Sequence, residues 1–253
     1  MSSRLSCMPT VSSPFLMPTL PPPLSFSNVV EDFASDSPSI RVATLDISVF
    51  DAPEIRRRAL AVMSEERRRK IERLQSEIAK RLSLAAGVLI DDALSAYGLR
   101  LATAGIVTGE HGKPGLPNGC LPRLSWSHSG TTAVVAASEV EVGVDYEAFR
   151  EHPRKNLEPL VRRTCGEEEA AWVFAPGPGT TEERFLRIWT AKEAFLKWLG
   201  TGLTREPRSV EVCVVGWHDA EVSWQGRLTD RPDIRLAGRH MANGICTVCW
   251  AEE

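Results

Sequence analysis

The chain has 253 residues, in which 30 Lys and Arg nearly balance 33 Asp and Glu, so that the net charge is −3. This near neutrality argues against a protein that binds nucleic acid in bulk, because such proteins usually carry a basic excess. The longest apolar runs, at 82–90 and 133–137, are far shorter than the roughly 18 residues of a membrane helix. We therefore expect a globular cytoplasmic protein that binds neither nucleic acid nor a membrane.

The first 39 residues differ in composition from the remainder. Seven of the 17 Pro and ten Ser lie within Met1–Ile40, and three Pro in a row at 21–23 are incompatible with regular structure. A secretory signal would need a basic start and a continuous apolar core, and neither is present. We interpret 1–39 as a disordered extension. An organelle transit peptide is the alternative, for which the lone Arg4 is weak support.

Six cysteines raise the question of a metal or disulfide site. Cys246 and Cys249 form a C-x-x-C pair, but the surrounding segment 244–250 is typical of a strand. Residues three apart on a strand point to opposite faces, whereas redox and zinc pairs of this spacing usually lie on a turn or at a helix start. We therefore predict reduced cysteines on a strand, with no metal bound by them.

The first predicted elements are a strand and two helices. Alternating apolar residues predict a strand over Arg41–Phe50, and Asp51 with Glu54 resembles a capping pair for a short helix. Ser64 is the expected N-cap of a long helix whose apolar positions recur every three or four residues, and Gly98 is expected to end it.

The later elements follow a similar order. Thr180 and Glu183 predict a capping box for a helix that Gly200 ends. Further strands are predicted at 124–130, 132–137, 141–146, 210–215, 221–224 and 245–250. Strand, long helix and strands, twice over, indicate an α+β fold with two similar halves at 40–138 and 139–253. The halves share no evident sequence identity, so a duplication is inferred from the architecture alone.

Three carboxylates and a lysine form the candidate site. Asp145 and Glu147 alternate along a strand and share one face, which is costly unless a cation lies between them. Glu193 and Lys197 are four residues apart on the later helix and also share a face. Oxygen ligands in this number suit Mg²⁺, and a nearby lysine would neutralise substrate phosphates. Spacing alone leaves open a solvated carboxylate pair beside an ordinary helical ion pair.

Four ordered motifs resemble the signature of the 4′-phosphopantetheinyl transferase superfamily. The family pattern is a G-[IV]-D strand followed by a W-[TSA]-x-K-E-[AS]-x-x-K helix, and here Gly143–Glu147 and Trp189–Lys197 are similar to it. Gly-Lys-Pro at 112–114 and Ser-His-Ser at 127–129 agree with two further blocks. The resemblance extends over nearly all of 41–253 and is closest to the two-halved, surfactin-synthetase-activating (Sfp) type.

The resemblance implies a pseudo-twofold pair of α/β halves, with the active site at their interface, in a monomer. It implies a Mg²⁺-dependent transfer of 4′-phosphopantetheine from coenzyme A to a serine of an apo acyl or peptidyl carrier protein. The second product is adenosine 3′,5′-bisphosphate. By this resemblance the first half binds the adenine and 3′-phosphate of coenzyme A, and the second half holds the metal.

Roles follow residue by residue from the same resemblance. Asp145, Glu147 and Glu193 would hold Mg²⁺ against the coenzyme A pyrophosphate. Glu193 would also be the general base, directly or through a water. Lys197 would bind the pyrophosphate, and Lys192 would be a second catalytic residue at the edge of the same site.

The remaining residues implied for the coenzyme A site lie in the first half. They are Arg67 and Lys70 for the 3′-phosphate, Lys113 and Pro114 beside the adenine, and Ser127 and His128 for the phosphates.

One helix position departs from the family pattern. The family usually has an Arg just before the position of Ser83, where this chain has Leu82, with Arg81 one residue earlier. Because one residue rotates a helical side chain by roughly 100°, whether Arg81 replaces that Arg stays open. The class of carrier protein stays open as well.

Two other functions use the same residues. A catalytically inactive module that binds coenzyme A or a carrier protein is expected to have lost a metal carboxylate, whereas all three are present. A Mg²⁺ phosphohydrolase acting on nucleotide pyrophosphates would use similar ligands, but no motif of such enzymes is recognisable. The sequence therefore favours the transferase.

Overall fold

The computed structural model describes residues 29–30, 39–109, 111–151, 156–177, 179–218 and 223–252. The helices are α1 (Pro53–Ala61), α2 (Glu65–Arg73), α3 (Glu77–Ser95), α4 (Leu101–Ala104), α5 (Glu158–Thr164), α6 (Glu167–Phe174) and α7 (Thr181–Leu199). The strands are β1 (Val29–Val30), β2 (Ile40–Asp46), β3 (Val107–Thr108), β4 (Pro114–Gly115), β5 (Arg123–Ser129), β6 (Thr132–Ser138), β7 (Val142–Ala148), β8 (Val212–His218), β9 (Ser223–Leu228), β10 (Ile234–Met241) and β11 (Gly244–Ala251).

The strands form two main antiparallel sheets. The first has the order β1-β2-β6-β5 and the second has the order β7-β11-β10-β9-β8, while β3 and β4 make a separate pair. Helices pack on these sheets rather than alternating with parallel strands, so the predicted α+β fold is confirmed.

Three apolar clusters hold the described residues together. One lies between α3 and the first sheet, and a second lies between α7 and the second sheet. The third lies between the two sheets, where Val42 and Val134 of the first are buried with Val144 and Val248 of the second. Because this cluster joins the two sheets, the predicted boundary at 138/139 is not marked by a gap in the packing of the described residues. The division into two halves stays a prediction.

The helix-capping predictions are confirmed at two starts. Ser64 Oγ accepts a hydrogen bond from the Arg67 amide at the start of α2. Thr180 and Glu183 form the predicted reciprocal capping box of α7, which ends at Gly200 in the left-handed conformation.

Two predictions about the first helices are wrong. The long helix expected after Ser64 is interrupted at Leu74, because Ser76 caps a new helix by accepting from the Ala79 amide. Asp51 does not cap α1, since its carboxylate pairs with Arg81 instead. The helices α5 and α6 and the strand β10 were not predicted.

The backbone of Val29–Val30 pairs with β2. The others of 1–38 lie outside the described residues, Cys7 among them, so the disordered extension stays a prediction. Cys246 and Cys249 are free and buried on β11, in different apolar clusters, as the strand assignment predicted. Among the described helices, none is both long and apolar enough to span a bilayer.

Gly143 determines how closely β7 approaches α7. A Cβ added there would lie 1.9 Å from the Ala194 carbonyl oxygen and 2.6 Å from the Trp198 amide nitrogen. The missing side chain therefore lets the strand that carries Asp145 lie directly against the helix that carries Glu193.

Candidate active site

The candidate site lies where the edges of the two sheets meet. β5 is the outer strand of the first sheet, and β7 is the outer strand of the second. Ser125 Oγ on β5 accepts a hydrogen bond from the Val144 amide at 3.0 Å, and Ser127 Oγ donates to Asp145 Oδ1 at 2.7 Å. Serine side chains on one face of β5 therefore join the two sheets across this junction.

The next serine of this series contacts the second carboxylate of β7. Ser129 Oγ donates to Glu147 Oε2 at 2.7 Å, and Trp189 Nε1 of α7 donates to Glu147 Oε1 at 3.3 Å. Both oxygens of Glu147 thus have a donor, one from the first sheet and one from the helix that packs on the second.

Asp145 is buried and has one oxygen without a hydrogen-bond donor. Its Oδ1 accepts from Ser127 and also from Lys197 Nζ, at 2.7 Å, whereas its Oδ2 has no partner. Oε1 of Glu193 on α7 is likewise buried without a partner. Two such carboxylate oxygens are what a cation would satisfy.

The electrostatics of Glu193 show that it is close to the strand carboxylates. Its pKa is raised from 4.5 to about 7, chiefly by burial and also by the negative charges of Asp145 and Glu147, against the opposing effect of Lys197. The structure thus brings Glu193 near Asp145, Glu147 and Lys197, and the roles of these residues stay a prediction.

The residues fit a magnesium ion by their chemistry. Within the described ranges, no three His, Cys, Asp or Glu side chains are already arranged so as to hold a metal. The unpartnered oxygens of Asp145 and Glu193, beside the carboxylate of Glu147, nevertheless supply the hard oxygen ligands that Mg²⁺ prefers. Mg²⁺ thus stays a prediction that these oxygens support.

The expectation that Lys192 lies at the edge of this site is corrected by the structure. Its side chain is fully buried, and Nζ donates to Glu169 Oε2 at 2.6 Å and to the carbonyl oxygens of Pro207 and Val210. Because successive helical side chains diverge by roughly 100°, Lys192 leaves α7 on a different face from Glu193.

The two predicted phosphate-binding residues of β5 lie on opposite faces of the strand. Ser127 is buried with its hydroxyl donated to Asp145, whereas His128 is exposed. This follows from the alternation of side chains along a strand, so that His128 alone of the pair is free to meet an incoming anion.

The other coenzyme residues are dispersed along the first half. Lys113 Nζ contacts the carboxylate of Glu141 and the carbonyl oxygen of Trp198 in the last turn of α7, and Pro114 lies in β4. A cation at a helix C-terminus is favourable, so Lys113 ties its loop to the helix of the other half.

The two basic residues predicted for the 3′-phosphate differ in environment. Arg67 is half-buried, its Nη2 donates to the Ser83 carbonyl at 2.9 Å, and burial lowers its pKa to about 10. Lys70 is exposed. Neither is brought into contact with the carboxylates of the junction by any hydrogen bond of the described residues.

The structure also bears on the departure from the family pattern. The Arg81 guanidinium pairs with Asp51 and Glu77, while Leu82 is buried in the core of the first half. Arg81 is therefore engaged by two carboxylates and is not held ready for a phosphate.

Sequence reasoning missed Ser129 and Trp189 as partners of Glu147. The signal was present, since Ser occupies the alternate positions 125, 127 and 129 of β5 and carboxylates occupy positions 145 and 147 of β7. The pattern does not predict that the edge strands β5 and β7 lie side by side.

The fold and the site together define an α+β protein with a carboxylate cluster at the junction of two sheets. Residues 141–249 match the 4′-phosphopantetheinyl transferase superfamily, and this range contains the three carboxylates and Lys197. The similarity to that superfamily expected from the motifs is therefore confirmed over this region.

Named relatives agree with this assignment. A 4′-phosphopantetheinyl transferase of Bacillus subtilis is 30% identical over 150 residues, which are 58% of this chain and 64% of the relative. The transferase AcpT of Salmonella typhimurium is 38% identical over 46% of this chain and 57% of its own length. The transferase Sfp of Bacillus subtilis strain 168 is 27% identical over 58% of this chain and 64% of its own. The chain thus spans less than two thirds of the length of each.

Proposed function

We propose that the protein transfers 4′-phosphopantetheine from coenzyme A to a serine of an apo acyl or peptidyl carrier protein. The products are the holo carrier protein and adenosine 3′,5′-bisphosphate. One observation carries the proposal: Asp145 and Glu193 present buried, unpartnered carboxylate oxygens beside Glu147 and Lys197. The superfamily match over 141–249 and the names of the relatives support it.

The proposed cofactor is Mg²⁺, with Asp145, Glu147 and Glu193 as its ligands. When bound, it would supply a Lewis acid that stabilises charge on the transferring phosphoryl group and on the leaving phosphate. In the transfer, the serine oxygen bonds to phosphorus, the bond to the bisphosphate breaks, and the leaving phosphate keeps the electron pair.

The proton of the attacking serine needs an acceptor, and we assign that role to Glu193. Because a carboxylate that also holds Mg²⁺ is a weak base, the proton would reach Glu193 directly or through a water. Lys197 would face the pyrophosphate, since its ammonium already lies at the site through its contact with Asp145. Lys192 has no part in this scheme, because its ammonium is buried elsewhere.

A cavity of about 350 Å³ is lined by Glu147, Ser129 and Trp189 and would give a substrate room beside Glu147. We assign the nucleotide side of coenzyme A to the first half. The residues proposed for it are His128, Lys113, Pro114, Arg67 and Lys70. Of these, the exposed His128 and Lys70 are accessible to phosphate without rearrangement.

We further propose that the protein acts as a monomer in the cytoplasm. One chain supplies both sides of the site, with serines from the first sheet and carboxylates from the second. Cys165, Cys213, Cys246 and Cys249 are free thiols, which suits a reducing compartment.

The test is a transfer assay read by intact mass. The purified protein is incubated with coenzyme A, Mg²⁺ and a panel of apo carrier proteins, and at least one carrier is expected to gain one phosphopantetheine. No mass gain on any carrier, with coenzyme A still bound, would instead identify an inactive binding module. Release of the bisphosphate without a carrier would identify a phosphohydrolase.

A further inference from the structure

Glu147 receives one hydrogen bond from each side of the junction. Ser129 comes from β5 of the first sheet, and Trp189 comes from α7, which packs on the second. We infer that Ser129 and Trp189 are positioning residues, which fix the carboxylate of Glu147 in the orientation in which it meets the cation. This inference rests on the proposed function, because it concerns a ligand of the proposed metal.

The geometry supports a fixed rather than a mobile carboxylate. The 2.7 Å bond from Ser129 Oγ to Oε2 has the length typical of a hydroxyl donating to a charged oxygen. The Trp189 indole is itself held in place, since its ring stacks on Phe185 with an interplanar angle of 18°. With one donor on each oxygen, Glu147 has little freedom to rotate.

Removing the serine partner would leave the two carboxylates of β7 with different remaining hydrogen bonds. Asp145 would keep a donor on Oδ1 without Ser127, because Lys197 also contacts that oxygen. Glu147 would keep only the longer bond from Trp189. Ser129 is therefore the serine of β5 whose removal most directly frees a proposed metal ligand.

Partners that orient a metal ligand typically contribute 10–100-fold to metal affinity. We expect Ser129→Ala to weaken Mg²⁺ binding by about this factor in the absence of coenzyme A. Ser129→Thr keeps the hydroxyl and should retain most of the affinity. Trp189→Phe removes the weaker donor but keeps an aromatic ring, so its loss should be smaller.

Titration calorimetry with Mg²⁺ alone measures these affinities, and urea unfolding records the stability of each variant. Ser125→Ala is the matched control, because it removes a serine of the same face of β5 that contacts a backbone amide rather than Glu147. It should lower the stability of the junction while leaving the Mg²⁺ affinity near that of the wild type.

Each outcome of this experiment decides the inference. Unchanged Mg²⁺ affinity in Ser129→Ala, equal losses in Ser129→Ala and Ser125→Ala, or a threonine variant as weak as the alanine variant would overturn it. A wild type that binds no Mg²⁺ without coenzyme A would also overturn it. A wild type that binds Mg²⁺ but modifies no carrier would remove the proposed function alone, and the calorimetric comparison would still decide the role of Ser129.

Discussion

Lys192 and Glu193 are neighbours on α7, yet their side chains belong to different parts of the molecule. Lys192 Nζ lies 2.6 Å from Glu169 Oε2 in the interior of the second half, while Glu193 lies near Asp145 at the junction of the sheets. The Glu169 carboxylate also accepts from the Gly166 and Val212 amides. Lys192 therefore holds α7 in place, whereas Glu193 lies at the junction of the two sheets.

Lys192→Met is expected to destabilise the protein rather than to impair substrate contact. Removing one partner leaves the Glu169 charge buried, which typically costs about 3–5 kcal/mol. Urea unfolding measures the loss, and coenzyme A affinity of the folded variant should match the wild type. In the double variant with Glu169→Gln, the two losses should not add, because both remove the same pair. A stable Lys192→Met protein with weakened coenzyme A binding would indicate that Lys192 acts at the edge of the site after all, against its buried contact with Glu169.

Glu193→Gln is expected to abolish transfer while sparing the binding of coenzyme A. The amide has nearly the shape of the carboxylate but does not accept the serine proton, and loss of a general base lowers kcat about 10²–10⁴-fold. Single-turnover transfer to an apo carrier and coenzyme A titration separate the two effects. Glu168→Gln, at an exposed position of α6, is the control and should transfer normally. Wild-type kcat in Glu193→Gln would contradict the assignment.

Magnesium binding is expected to depend on pH through Glu193. Its pKa of about 7 lies above the ordinary 4.5, so below pH 7 the folded, metal-free protein carries a proton that Mg²⁺ must displace. The apparent affinity should therefore fall about tenfold per pH unit below 7 and level off above it. Calorimetry in buffers of different ionisation enthalpy measures both the affinity and the released proton. A pH-independent affinity in the wild type would refute this expectation.

Gly143→Ala is expected to separate β7 from α7. The added Cβ would collide with the Ala194 carbonyl oxygen, and overpacking of this kind typically costs about 1–3 kcal/mol. Displacement of β7 would also move Asp145 away from Glu193. Mg²⁺ affinity should therefore fall along with the stability of the fold. Gly115→Ala is the matched control, because no atom lies within 4 Å of the place where its new methyl group would stand. Equal behaviour of the two variants in unfolding and in metal titration would show that the close approach at Gly143 has no role.

Local signals in the sequence were sufficient for part of this structure. The predicted helix starts are confirmed at Ser64 and at the capping box of Thr180 and Glu183. They could be predicted because capping depends on residues within one turn. The alternation of Asp145 and Glu147 placed both on one face for the same reason: strand geometry is local.

What the sequence did not predict depends on contacts between distant segments. Periodicity shows that Lys192 and Glu193 diverge on α7, but only the packing of α6 shows that Lys192 meets a buried partner 23 residues earlier. The break at Leu74 was missed because a second cap at Ser76 competes with an otherwise continuous helical pattern. The partnership of Ser129 with Glu147 was missed because it requires the adjacency of two edge strands from different sheets.

The serine contacts across the junction have a consequence for how the molecule becomes competent. β5 and β7 belong to different sheets, so the contacts of Ser127 and Ser129 with the carboxylates form only when the two sheets have come together. The second sheet and α7 carry all three carboxylates, but the serines that contact Asp145 and Glu147 come from the first sheet. A refolding chain should therefore regain its secondary structure before these serine contacts form.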